Sequence, residues 1–238
     1  ETAGKAAGLL TTAWETTKSL FDPRKADEAL RQRIPEANLR AAVALFLVAT
    51  VVGAILSLII YAETLYFAAF TYQTLAAAIG GPSPEPDFSS LGQFAVFVLI
   101  VSLTTFLVSF CQDGVIYYGL RLTGGKGTFT QQYYLSAFVA LATAASSAVM
   151  VFGSVPCMGA LAFLAYLALA FYFMFVVRCR AYATVHDLSY LHVLTIVFLS
   201  CIVAVAILLY VDGSAASTLH IPQAALYNLT NMTNVTGV

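Results

Sequence analysis

Five apolar runs, each long enough to cross a bilayer core, divide this chain so that all eleven Lys and Arg residues lie on one side of them. Seven precede the first run (Lys5, Lys18, Arg24, Lys25, Arg31, Arg33, Arg40). Two lie between the second and third (Arg121, Lys126) and two between the fourth and fifth (Arg178, Arg180). The opposite connections and the tail carry acids only: Glu63, Glu85, Asp87 and Asp212. Basic residues beside a span stay cytoplasmic during insertion. The expected fold is therefore all-α: a polytopic membrane protein, a five-transmembrane-helix bundle with its N-terminus inside and its C-terminus outside.

Composition agrees. Apolar residues make up 60% of the chain and charged residues 10%, with a mean hydropathy of +0.85. A soluble domain has about a quarter of its residues charged, so lipid must solvate much of this surface. The net charge of −1, with basic residues in short clusters facing a membrane, gives no nucleic-acid partner. The expected partners are the lipid bilayer and other membrane or cytoplasmic proteins, and a homo-oligomer is compatible with the pattern. Location follows as integral membrane: the cell membrane in a prokaryote, an endomembrane in a eukaryote.

Three regions follow. Residues 1–40 read as cytoplasmic or interfacial amphipathic helices, 41–211 as the five-span domain and 212–238 as an outer tail. In the first region Ala6, Leu9, Leu10, Ala13, Trp14, Thr17, Leu20 and Phe21 recur at helical spacing. That face suits either packing on the bundle or lying on lipid, where Trp14 favours the headgroup zone. Asp22-Pro23 reads as a cap and first helical residue opening a basic helix through Arg33, and Pro35 as the start of the next helix. The chain begins at Glu1 rather than Met, which predicts trimming. Signal-peptide cleavage would place Glu1 outside, against the basic-residue pattern.

The spans are read as Ala41 to about Tyr61, Leu91–Phe110, about Tyr133–Phe152, Gly159–Val177 and Leu188–Val211. Thr64–Ile79 is apolar too, but a sixth crossing would move every later basic loop outside. It is read as an outer interfacial or re-entrant helix, stopped by Gly80-Gly81-Pro82. The small residues between Ala140 and Ala148 make span three the expected centre of packing.

Chemistry-bearing motifs are sparse. No charge falls near the middle of any of these spans, so an ion-coupled mechanism lacks its usual partner. Asp113, past the inner end of span two, and Glu63 are read as structural or capping. Gly124-Gly125-Lys126-Gly127-Thr128 misses the phosphate-loop pattern, because Leu120 stands at its first Gly and Gly127 at its Ser/Thr. It is read instead as a flexible inner loop and a contact surface. His186-Asp187 and His192 offer too few ligands for zinc. No cofactor, metal or catalytic set is expected. Cys111, Cys157, Cys179 and Cys201 read as small buried hydrophobes rather than a disulfide framework, with lipidation of Cys111 or Cys179 as the alternative. Asn228, Asn231 and Asn234 each open an N-x-Thr glycosylation pattern in the outer tail.

The loop Gly124 to Phe129, the Val185-His186-Asp187-Leu188-Ser189 segment entering span five, and Phe21-Asp22-Pro23-Arg24-Lys25 before span one together resemble the Ypt-interacting-protein (YIP) membrane-domain family. The resemblance implies a five-helix bundle. Eukaryotic members are associated with Rab-type GTPases and vesicle membranes, and the family carries no established catalytic residues. This chain lacks the proline often found inside the family's third span. Two functions are carried forward. One is a non-enzymatic scaffold or accessory protein of YIP-like type, acting through its cytoplasmic face with Gly124, Gly125, Lys126 and Gly127 as interaction loop. The other is a channel or facilitator for a neutral or apolar solute, lined by Ser102, Thr104, Thr105, Ser109, Thr143 and Ser147, unless those hydroxyls serve as bonds between helices.

Overall fold

The computed structural model describes residues 2–79, 91–154 and 158–218, and no strand forms among them. In chain order the helices are α1 (Thr2–Leu20), α2 (Ala26–Arg31), α3 (Leu39–Ile79), α4 (Leu91–Leu122), α5 (Phe129–Ser146), α6 (Gly159–Phe171), α7 (Arg178–His186) and α8 (Tyr190–Thr218). A 3-10 segment, Ser147–Ser154, prolongs α5, and a π turn, Tyr172–Val177, joins α6 to α7. Among the described residues five segments are long and apolar enough to cross a membrane: Leu39–Tyr66, Leu91–Leu122, Phe129–Gly153, Gly159–His186 and Tyr190–Val211.

The burial pattern inverts that of a soluble bundle. On α4, Leu99, Leu103 and Leu107 are exposed, while Asp113 is fully buried. Lipid is as apolar as leucine, so exposing leucine to it costs little, whereas an unpaired polar group must turn inward. The most extensive packing pairs are α3 with α5 and α4 with α8. Phe46 of α3 stacks on Tyr133 of α5, with ring centroids 4.6 Å apart. The buried stretch of α5 runs from Gln132 to Val139 and includes Leu141 and Ala142. The packing centre therefore lies nearer the start of the helix than the small-residue run predicts. Beyond it, Ser146 and Ser147 donate to the carbonyls of Thr143 and Ala144 at 2.7 and 2.6 Å, three residues back, where the helix tightens to 3-10.

Several boundaries differ from those read in the sequence. Thr64–Ile79 is no separate re-entrant element: α3 continues unbroken through it for 41 residues. At about 1.5 Å per residue such a helix outreaches the roughly 30 Å hydrocarbon core, so it can cross and still project. Glu63 lies inside that helix rather than at its end. Helix α4 continues to Leu122 rather than ending at Phe110, and the fourth span continues to His186 rather than Val177. Asp22 accepts from the Arg24 amide at 3.0 Å within a turn, so the following helix starts later and is shorter than predicted. Pro35 sits in a 3-10 turn, and Asn38 opens α3 by accepting from the Arg40 amide at 2.8 Å.

Helix α1 packs one face on the bundle. Ala13, Thr17 and Leu20 are buried against the bundle, where α1 packs on α5, while Leu10, Trp14 and Phe21 on the neighbouring stripe are exposed. Cys179 is buried as expected, whereas Cys111 is exposed and Cys201 half-buried. Cys157, the Gly80-Gly81-Pro82 stop and the three sequon residues Asn228, Asn231 and Asn234 lie outside the described residues.

One helix position gives a direct check on α4. A Cβ added at Gly114 meets nothing within 4 Å, so Gly114→Ala should raise stability by roughly the 1 kcal/mol that separates glycine from alanine in a helix interior. A rise in the thermal midpoint of the detergent-solubilised protein checks this.

Candidate functional site

Three helices place polar side chains where the sequence runs predict none. Asp113 on α4 and Arg178 at the start of α7 both lie within the membrane-crossing segments, with side chains 0% and 5% exposed. Arg178 Nη2 donates to Asp113 Oδ1 at 2.6 Å. Arg178 Nε donates to the Tyr182 hydroxyl at 2.7 Å, one helical turn on, and that hydroxyl donates to Asp113 Oδ1. Ser136 Oγ of α5 lies 2.9 Å from the same tyrosine oxygen. Asp113 is therefore neither past the end of its helix nor a cap. Taking two charges out of water costs several kcal/mol each, and the cluster persists because each charge finds its opposite together with further hydrogen bonds. Gln132 extends it: Nε2 donates to the Asp113 backbone carbonyl at 2.9 Å, and Oε1 faces His186 Nε2 at 2.9 Å. An amide oxygen only accepts, so His186 must carry its proton on Nε2 there.

Arg178 also forms the floor of a cavity of about 420 Å³ between α3, α4, α5 and the fourth span. Of the six hydroxyl residues proposed to line a path, Ser102, Thr105, Ser109, Thr143 and Ser147 line this cavity, whereas Thr104 does not. Thr50 and Ser57 of α3 and Tyr166 of α6 join them. Ser57 and Thr105 are exposed, so the cavity reaches the surface of the bundle. The small residues Gly53, Ala140 and Ala144 leave the space open.

Three of the wall hydroxyls bond within their own helices rather than between helices. Thr50 donates to Phe46 O at 2.8 Å, Ser57 to Gly53 O at 2.9 Å and Thr143 to Val139 O at 2.8 Å, each one turn back on its own helix. With the proton committed to the backbone, each oxygen offers lone pairs. These three wall oxygens accept hydrogen bonds, and Arg178 donates them.

At the basic end of the bundle, the two segments that carried most of the family resemblance meet. The Lys126 amide donates to His186 O at 3.1 Å, and Lys126 Nζ reaches Asp187 Oδ2 at 2.8 Å. A Cβ on Gly125 would sit 2.7 Å from His186 Nδ1, and one on Gly127 would sit 2.7 Å from Val185 O. Both glycines are buried. The loop is close-packed at Gly125 and Gly127, whose missing side chains permit that approach, while Gly124, with φ of +97°, requires glycine for its backbone conformation. Thr128 closes the loop with a capping box: its hydroxyl accepts from the Gln131 amide at 3.3 Å, and Gln131 Oε1 accepts from the Thr128 amide at 3.1 Å.

The Lys126 ammonium holds the Asp187 carboxyl below its usual range, and the carboxylate in turn raises the lysine. A carboxylate lowered in the folded state stabilises above its unfolded pKa, and that contribution fades as pH falls through the folded value. For the raised lysine the contribution is present below its unfolded pKa and lost as pH rises through the folded one. Both side chains are exposed, so the effect on stability is small. Carboxyl NMR titration should find Asp187 below the ordinary aspartate range, returning toward it in Lys126→Met.

No group of three or more His, Cys, Asp or Glu side chains suited to a metal occurs among the described residues. Compared with known proteins, the chain matches no family model, no curated protein and no solved structure.

Proposed function

We propose that the protein is a non-enzymatic integral membrane protein that admits a small neutral solute to the cavity between its first four spans and eases its crossing of the bilayer. The supporting observation is the convergence of hydroxyl side chains from α3, α4 and α5 on one cavity of about 420 Å³. That volume falls in the range of small-molecule sites. Arg178, which lines the cavity, is already neutralised by Asp113 behind it, which suits an uncharged occupant.

The test is uptake of erythritol, a slowly permeating neutral solute, by liposomes made with the purified protein. Protein should speed uptake severalfold over empty liposomes, and Ala140→Phe, which fills the cavity from α5, should return it to the empty-liposome rate. Equal rates with and without protein would overturn the reading.

A second reading, a YIP-like scaffold acting through its cytoplasmic face, is favoured by the packing of the Gly124 to Thr128 loop on Val185, His186 and Asp187. In that reading the basic end faces the cytoplasm and Lys126 and Asp187, both exposed, are offered to a partner.

A further inference from the structure

The floor of the cavity holds a hydrogen-bond donor that the protein leaves underused. A guanidinium has five N–H groups. In Arg178 the Nε group is taken by Tyr182 and one Nη2 group by Asp113. Nη1 faces the thioether of Met174 at 3.0 Å, and thioether sulfur is a weak acceptor. Arg178 is 4% exposed, so water does not make up the difference over most of its surface. Both Arg178 and Met174 line the cavity. A buried charged donor with a poor acceptor is a place where an incoming oxygen gains more than it would elsewhere in the cavity.

The charge count selects the kind of oxygen. Asp113 already neutralises Arg178 at 2.6 Å, so a second anion would meet a compensated guanidinium and an adjacent carboxylate in a low-dielectric site. A neutral carbonyl oxygen takes the weakly satisfied Nη1 donor without that repulsion. The walls complete the match, because Thr50, Ser57 and Thr143 have given their protons to backbone carbonyls and present lone pairs to a solute N–H or O–H.

We propose that this site recognises neutral carbonyl compounds carrying N–H groups, the carboxamide class, with the solute carbonyl on Arg178 Nη1 beside Met174 and its N–H groups toward the α3 and α5 hydroxyls. The proposal rests on the solute-admitting reading above and specifies the solute class for it.

The experiment compares malonamide with erythritol, two slowly permeating neutral solutes of similar size, in the same proteoliposomes at low solute concentration. Wild-type protein should carry malonamide about tenfold faster than erythritol after each rate is corrected for empty liposomes, as expected for one added hydrogen bond to a charged group. Met174→Gln keeps the side-chain length but sets an amide oxygen on Nη1. It should bring the ratio of malonamide to erythritol uptake close to one. Met174→Leu, which leaves Nη1 free, should keep the preference. Equal rates for the two solutes in wild type, or a preference that survives Met174→Gln, overturns the carboxamide assignment while protein-dependent erythritol uptake still supports the broader reading. If neither solute moves faster than through empty liposomes, both fail together.

Discussion

Arg178→Met is expected to cost about 3–5 kcal/mol of unfolding free energy, the penalty for stranding one partner of a buried ion pair. The Asp113 carboxylate, fully buried, would lose the guanidinium that compensates it and keep only the Tyr182 hydroxyl. Denaturant unfolding of the detergent-solubilised protein measures this. Combining Arg178→Met with Asp113→Leu removes both charges and should recover most of the loss, because apolar residues of similar volume often replace a buried pair at little cost. The double-mutant cycle would then show strong coupling, as side chains in direct contact do. A single-mutant effect below about 1 kcal/mol, the size seen for exposed pairs, would contradict the burial.

Gly127→Ala should be the most damaging change in the loops. The added Cβ would overlap the Val185 side chain and lie 2.7 Å from its carbonyl oxygen and 3.0 Å from its carbonyl carbon. Backbone cannot step aside as a flexible side chain can, so the loop must lift from α7 and loosen the Lys126 to His186 bond. Overpacking of this kind typically costs about 1–3 kcal/mol. The same thermal measurement that finds Gly114→Ala stabilising should find Gly127→Ala clearly destabilising. Similar midpoints for the two would contradict the packed loop.

The helical spans were legible because hydropathy alone reports them, and the number of crossing segments follows from that. Their ends were not. Sequence reading ends α4 at Phe110 because polar residues begin there, yet the helix persists since Gln112 donates to Ser200 Oγ at 3.2 Å and Asp113 finds Arg178. Nothing in linear order shows that residues 65 apart will pair, and the only local sign is Arg178 and Tyr182 one helical turn apart. The hydroxyls of the cavity were legible as a set, because Ser and Thr stand out in apolar runs. Which of them share a wall depends on helix rotation, and Thr104 turns away while its neighbour Thr105 does not. The glycines of the Gly124 to Gly127 loop carry two physical meanings, freedom and close approach, and composition does not separate them. Contact with Val185 and His186 does.

The most direct test of the cavity is chemical access. In a protein whose native cysteines are replaced, a single cysteine at Thr143, on the cavity wall, should react with a small neutral thiol reagent in membranes. One at Val197, fully buried in the helix core, should not. Malonamide or erythritol at high concentration should slow the first reaction. Ready labelling at residue 143 with slowing by solute is the predicted result; residue 143 as inert as residue 197 would contradict a solute-accessible cavity between these spans.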